Sequence, residues 1–109
     1  MMKDFSRLVL CEYYSDRVDI HVRASCVNGK LMISGQDLGP SVEEFWGDLD
    51  YEYWYSLDKE GTGRLMAAIH GEDEPEAALV REFSGEDGCA VFRKVCEENG
   101  ITYHFNSYV

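Results

Sequence analysis

Two periodicities divide this chain. From Arg17 to Val27 apolar and polar positions alternate strictly. Val18, Ile20, Val22, Ala24 and Cys26 share one side, and Asp19, His21, Arg23 and Ser25 the other. A period of two marks a half-buried β-strand. Asn28-Gly29 follows, a pair suited to the type I′ hairpin turn because both central residues take positive φ. Lys30 to Ser34 then returns as a second strand. Upstream, the apolar run Leu8-Val9-Leu10-Cys11 within Phe5 to Tyr14 suits a well-covered strand that ends at the turn Ser15-Asp16. Gly35 to Gly47 reads as a loop, with Pro40-Ser41 at its turn and one helical turn over Val42-Glu43-Glu44-Phe45-Trp46.

Asp48 to Asp58 alternates again and is rich in aromatic residues. Tyr51, Tyr53, Tyr55 and Leu57 fall on one face, while Asp48, Asp50, Glu52, Trp54, Ser56 and Asp58 fall on the other. Tyrosine suits a half-buried pleated surface, which predicts that the odd face meets the core. Tyrosine also tolerates the outer side, and the alternative places Trp54 beneath a helix. Sequential strands usually lie side by side, so this strand is expected beside the one ending at Ser34.

Helical spacing takes over in the second half. Gly61-Thr62-Gly63 leads into a helix from Arg64 to His70, with Thr62 as a candidate cap. Gly71 to Glu74 is an acidic linker, and Pro75 sits where the first turn of a helix accepts proline. Leu79, Val80 and Phe83 then gather on one side. A third helix is predicted from Gly85 to Asn99, with Cys89, Phe92, Val95 and Cys96 in a stripe and Gly100 just past its end. Ile101 to Tyr108 closes the chain as a strand. The order β-β-β-β-α-α-α-β predicts a single α+β domain over residues 1–109: an antiparallel sheet of four to five strands with helices on one face. Its other face is left to water or to a partner.

Composition sharpens this picture. Across 109 residues, 45% hydrophobic and 13% aromatic side chains are those of a globular protein. No apolar run approaches the roughly 18 residues of a membrane span. The stretch Met1 to Arg7 has no apolar core of a secretion signal, so the expected location is the cytoplasm. Cys11, Cys26, Cys89 and Cys96 form no CxxC and have no histidine at metal-ligand spacing. On a helix Cys89 and Cys96 stand about 10 Å apart, too far for a disulfide. All four are expected as free thiols.

Charge changes the picture most. The chain carries 21 acidic and 10 basic residues, a net of −11. Residues 37–76 hold twelve carboxylates against Lys59 and Arg64, so nearly the whole excess lies mid-chain. Such a field repels nucleic acid and anionic membranes and attracts basic partners.

Candidate chemistry is sparse. Asp48-x-Asp50-x-Glu52 invites a calcium reading, but an EF-hand needs glycine and glutamate where Tyr53 and Lys59 stand. Carboxylates on one strand face also lie about 7 Å apart. Gly61-Thr62-Gly63-Arg64 lacks the spacing and lysine of a phosphate loop. His21 and His104 sit on predicted strands, where meeting Cys11 or Cys26 would make a Cys–His pair. No cofactor, metal or catalytic motif is implied. Trp54 amid acidic neighbours has the composition of an interface hot spot. Asp37, Asp48, Asp50, Glu52, Trp54 and Asp58 are therefore the expected partner contacts.

Ser34-Gly35-Gln36-Asp37-Leu38-Gly39, Tyr51-Glu52-Tyr53 and the closing Gly100-Ile101-Thr102-Tyr103 form an ordered pattern. It resembles small uncharacterised acidic bacterial proteins akin to immunity proteins of polymorphic toxin and contact-dependent inhibition systems. The resemblance implies a cytoplasmic, non-enzymatic protein that binds and neutralises a cognate basic toxin domain, with a nuclease as one option. It carries over no catalytic or ligand residue. A homodimeric structural or regulatory protein and a small-ligand or metal binder are the alternatives.

Overall fold

A computed structural model describes residues 2–47 and 50–108, positions 45 and 46 by their backbone alone. Strands β1 (Phe5–Tyr14), β2 (Asp19–Val27) and β3 (Lys30–Leu38) precede helix α1 (Pro40–Trp46) and strand β4 (Asp50–Ser56). Helices α2 (Lys59–Ala68), α3 (Pro75–Phe83) and α4 (Gly88–Glu98) then lead to strand β5 (His104–Tyr108). The strands form one antiparallel sheet in the order β1-β2-β3-β4-β5, as expected of this α+β class. The helical excursion between β4 and β5 brings the chain back along the far side of β4.

Asn28 and Gly29 take φ of 54° and 76°, as the type I′ turn requires, and set Val27 opposite Lys30. That register puts Val22, Ala24 and Cys26 of β2 beside Leu31 and Ile33 of β3 in the core. β4 adds Tyr55 and the residue after its end, Leu57. Leu65, Met66 and Ile69 from α2 and its cap close over this surface, with Leu79 and Phe83 of α3 and Phe92 and Cys96 of α4. Phe83 and Phe92 meet edge to face at 5.6 Å. Full burial of side chains this size contributes roughly 1.5–3 kcal/mol each. The core therefore lies between one sheet face and the helices, and among the described residues α2, α3 and α4 leave the opposite sheet face uncovered.

Two elements are longer than their sequence signals. β3 runs through Gly35 to Leu38, a segment expected as loop. Gly35 lies opposite Tyr53, and a Cβ there would come within 2.1 Å of the tyrosine Cζ. Glycine here makes room for a ring instead of ending a strand. α2 starts at Lys59, not Arg64, because Asp58 caps it by accepting from the Gly61 N–H at 2.7 Å. Thr62 is not the cap. It lies inside the helix, buried, and its Oγ1 accepts the Leu31 N–H at 3.0 Å, which fastens α2 to β3.

The two margins of the sheet differ. β1 is broken by register shifts between Phe5 and Leu8 and between Val9 and Cys11. Arg7 takes φ 60° there, and the Gly85 N–H donates to the Leu10 carbonyl at 2.9 Å. β5 pairs with β4 in unbroken register, and all five of its residues are exposed.

Candidate functional site

β4 presents two different surfaces, and each lines a depression. On the uncovered side, cross-strand pairing builds two rows. Glu12, His21, Gln36 and Glu52 stand in one, and Arg23, Ser34, Trp54 and Asn106 in the next. An open depression of about 180 Å³ lies among His21, Arg23, Gln36, Glu52 and Trp54. Asp50 belongs to the same side, and its Oδ1 accepts from the Gln36 amide at 3.2 Å. Arg23 stands 3.6 Å from Glu12, and His21 packs edge-on against Tyr14 at 5.4 Å.

Of the six residues expected to meet a partner, Glu52 and Trp54 come together here, and Asp50 stands two residues before Glu52 on the same side. Asp48 lies outside the described residues. Asp58 is spent on capping α2, beyond the end of β4. Asp37 is on the other side. With β3 extended to Leu38, alternation from Leu31 and Ile33 carries Gly35 and Asp37 to the helix side, away from Trp54. The mid-chain acidity also divides in space. Asp50 and Glu52 sit on β4, while Glu72, Asp73, Glu74 and Glu76 border a cavity with Lys3 and Asp4 near the start of β1.

The tyrosine side of β4 meets the core as expected, but only in part. Tyr55 is 4% exposed, packed edge to face on Phe92 at 5.4 Å. Tyr51 and Tyr53 are half-buried. They line a cleft of about 320 Å³ between β4 and the start of α4, whose helical wall is Cys89, Ala90 and Arg93. Phe105 of β5 closes one side, and Asp37 and Glu86 contribute carboxylates. The Tyr53 hydroxyl donates to Asp37 Oδ1 at 3.3 Å. Burial pushes the Asp37 carboxyl above the usual carboxylate range, against the pull of that hydrogen bond. Tyr53 is itself held well above the ordinary phenol value, chiefly by burial and then by the Asp37 charge. The Arg93 guanidinium stands over the Tyr55 ring, 5.9 Å from its centre, and donates to its hydroxyl at 2.5 Å.

This cleft is hidden in the sequence, where alternation assigns the tyrosines to the core and α4 reads as a buried stripe. Period-two alternation carried on through Gly35 to Asp37 was the signal that leads to it.

The remaining candidates separate. His21 and His104 face the uncovered side on β2 and β5, three strand spacings apart across the sheet and four residues apart along it, or roughly 19 Å. Cys11 and Cys26 are buried on the helix side, so neither histidine meets a cysteine. All four cysteines are free, and burial pushes the thiols of Cys89 and Cys96 up to about 11. Among the described residues no three His, Cys, Asp or Glu side chains gather as a metal site. No helix among them is long and apolar enough to cross a membrane. Compared with family models, with curated proteins and with solved structures, the chain matches none.

Proposed function

We propose that this chain is a non-enzymatic binding protein of the immunity type, which neutralises a basic toxin domain in the cytoplasm by direct contact. The observation that carries the proposal is the open face of β4, where a half-buried Trp54 shares a depression with Glu52, Gln36, His21 and Arg23, and Asp50 bonds to Gln36 beyond it, in a chain of net charge −11. A half-buried indole ringed by polar groups offers an anchor whose burial a partner completes. Carboxylates around it raise the encounter rate with a cationic surface and orient the approach. A toxin that acts on nucleic acid needs a basic cleft to hold phosphates, and an acidic face with an aromatic centre is complementary to such a cleft.

The test has two parts. The tagged chain is used to capture proteins from lysate of its own source, washed at low and then high salt. One stoichiometric basic protein is the expected result. The double variant Asp50→Lys, Glu52→Lys is then compared with Trp54→Ala against that protein. The charge reversal should slow association at low salt by about tenfold or more, and the tryptophan truncation should speed dissociation. Unchanged rates in both variants would remove the sheet face from the contact.

A further inference from the structure

The cleft on the other side of β4 has a chemistry of its own. Three tyrosines at alternate positions place their rings along one wall: Tyr51 and Tyr53 lie 5.5 Å apart between centres, Tyr53 and Tyr55 6.2 Å. Phe105 extends the row, 5.0 Å from Tyr55. Ring faces carry the negative lobe of the aromatic quadrupole and attract a cation placed over them. The molecule already uses this attraction once, at Tyr55, where its own Arg93 stands over the ring.

Two carboxylates complete the setting. Asp37 is half-buried and accepts a long hydrogen bond from Tyr53. Among the described residues neither Asp37 nor Glu86 has a cationic side chain within ion-pair distance. A carboxylate withdrawn from water without a counter-charge is unfavourable, and its raised proton affinity has burial as its leading cause. Arg93, which bonds to Tyr55, is the one cationic side chain in the lining, and against two carboxylates the cleft keeps a formal charge of −1. An anion would meet that charge, and a neutral ring would leave Asp37 without a counter-ion. At about 320 Å³ the space is near the lower limit for small-ligand sites and suits the head of one side chain.

We infer that the cleft between β4 and α4 is a cation site, which takes the guanidinium or ammonium end of a basic side chain of the protein partner. The partner clause rests on the inhibitor function proposed above. The cation chemistry does not.

The experiment is an NMR titration of the full chain with methylguanidinium chloride and with tetramethylammonium chloride. Sodium chloride at matched ionic strength and neopentyl alcohol, a neutral compound of similar shape, are the controls. Saturable shifts at Tyr51, Tyr53, Asp37 and Ala90 are expected with the two organic cations only. Asp37→Asn should weaken them about tenfold, the scale of one hydrogen bond to a charged group. Tyr51→Leu, a change at a half-exposed position, should weaken them as well and serves if the Asn variant fails to fold. Shifts that follow sodium chloride, that neopentyl alcohol reproduces, or that both variants leave unchanged would overturn the site. A captured partner with a negative titration overturns the cleft alone. A positive titration with an empty capture keeps the cation site and removes the inhibitor function.

Discussion

Asp37 shows how one carboxylate is shaped by its place in a strand. Its folded form holds a proton more tightly than the unfolded chain does. Between the ordinary carboxylate range and that raised value the native state binds more protons, so stability falls as pH rises through this window. At neutral pH the ionised group opposes folding. Asp37→Asn keeps an acceptor for Tyr53 and removes the charge. Thermal unfolding at neutral pH should therefore show a higher Tm for the variant, with the gap closing as pH falls below about 3, where both states of the wild type are protonated. A lower Tm at neutral pH would mean that Asp37 is already stabilised by a charge in the folded chain. The sequence does contain the position, since Leu31, Ile33, Gly35 and Asp37 share one parity. Reading Gly35 as the start of a loop breaks that series, and Asp37 is then wrongly grouped with Trp54.

At the scale of elements, what the sequence conveys depends on whether local preference and packing agree. β2 and its hairpin agree at every level, and their strand, turn and inward residues all follow from alternation plus Asn28-Gly29. α2 does not. Gly61 and Gly63 each lower helix preference by about 1 kcal/mol relative to alanine, which argued for a loop. The Asp58 cap, the Thr62 bond to Leu31 and the burial of Leu65 and Met66 override that preference. The end of β3 is hidden for the same reason, because a glycine that accommodates the Tyr53 ring looks like one that ends a strand. Gly35→Ala measures the difference. The new Cβ must displace the ring, so chemical denaturation should show a loss of about 1–3 kcal/mol. In a Tyr53→Leu background the same change should cost less, since the two sites are in contact. Equal losses in both backgrounds would mean that the ring is not what the glycine accommodates.

Across the whole molecule, charge opposes compactness. A net charge of −11 produces self-repulsion that added salt screens. Raising sodium chloride from roughly 20 to roughly 500 mM, which shortens the Debye length from about 20 to about 4 Å, should raise Tm by a few degrees. A Tm that falls with salt would show that attractive pairs such as Arg17–Glu44 outweigh the repulsion. Composition conveyed the size of this field but not its shape. Residues 37–76 are contiguous in the chain, yet the fold sends their carboxylates to β4 and to the neighbourhood of β1, three strands away.

The unequal margins of the sheet set a limit on growth. A ribbon that can be extended on both sides is a monomer of a fibre, because every addition leaves a fresh end. Here Gly85 and the two irregularities of β1 occupy one side, and β5 alone offers a regular, uncharged row of backbone groups. A second copy that pairs its own β5 there consumes the regular edge of both. Two copies joined there would turn only their β1 sides outward, so polymerisation stops at a pair.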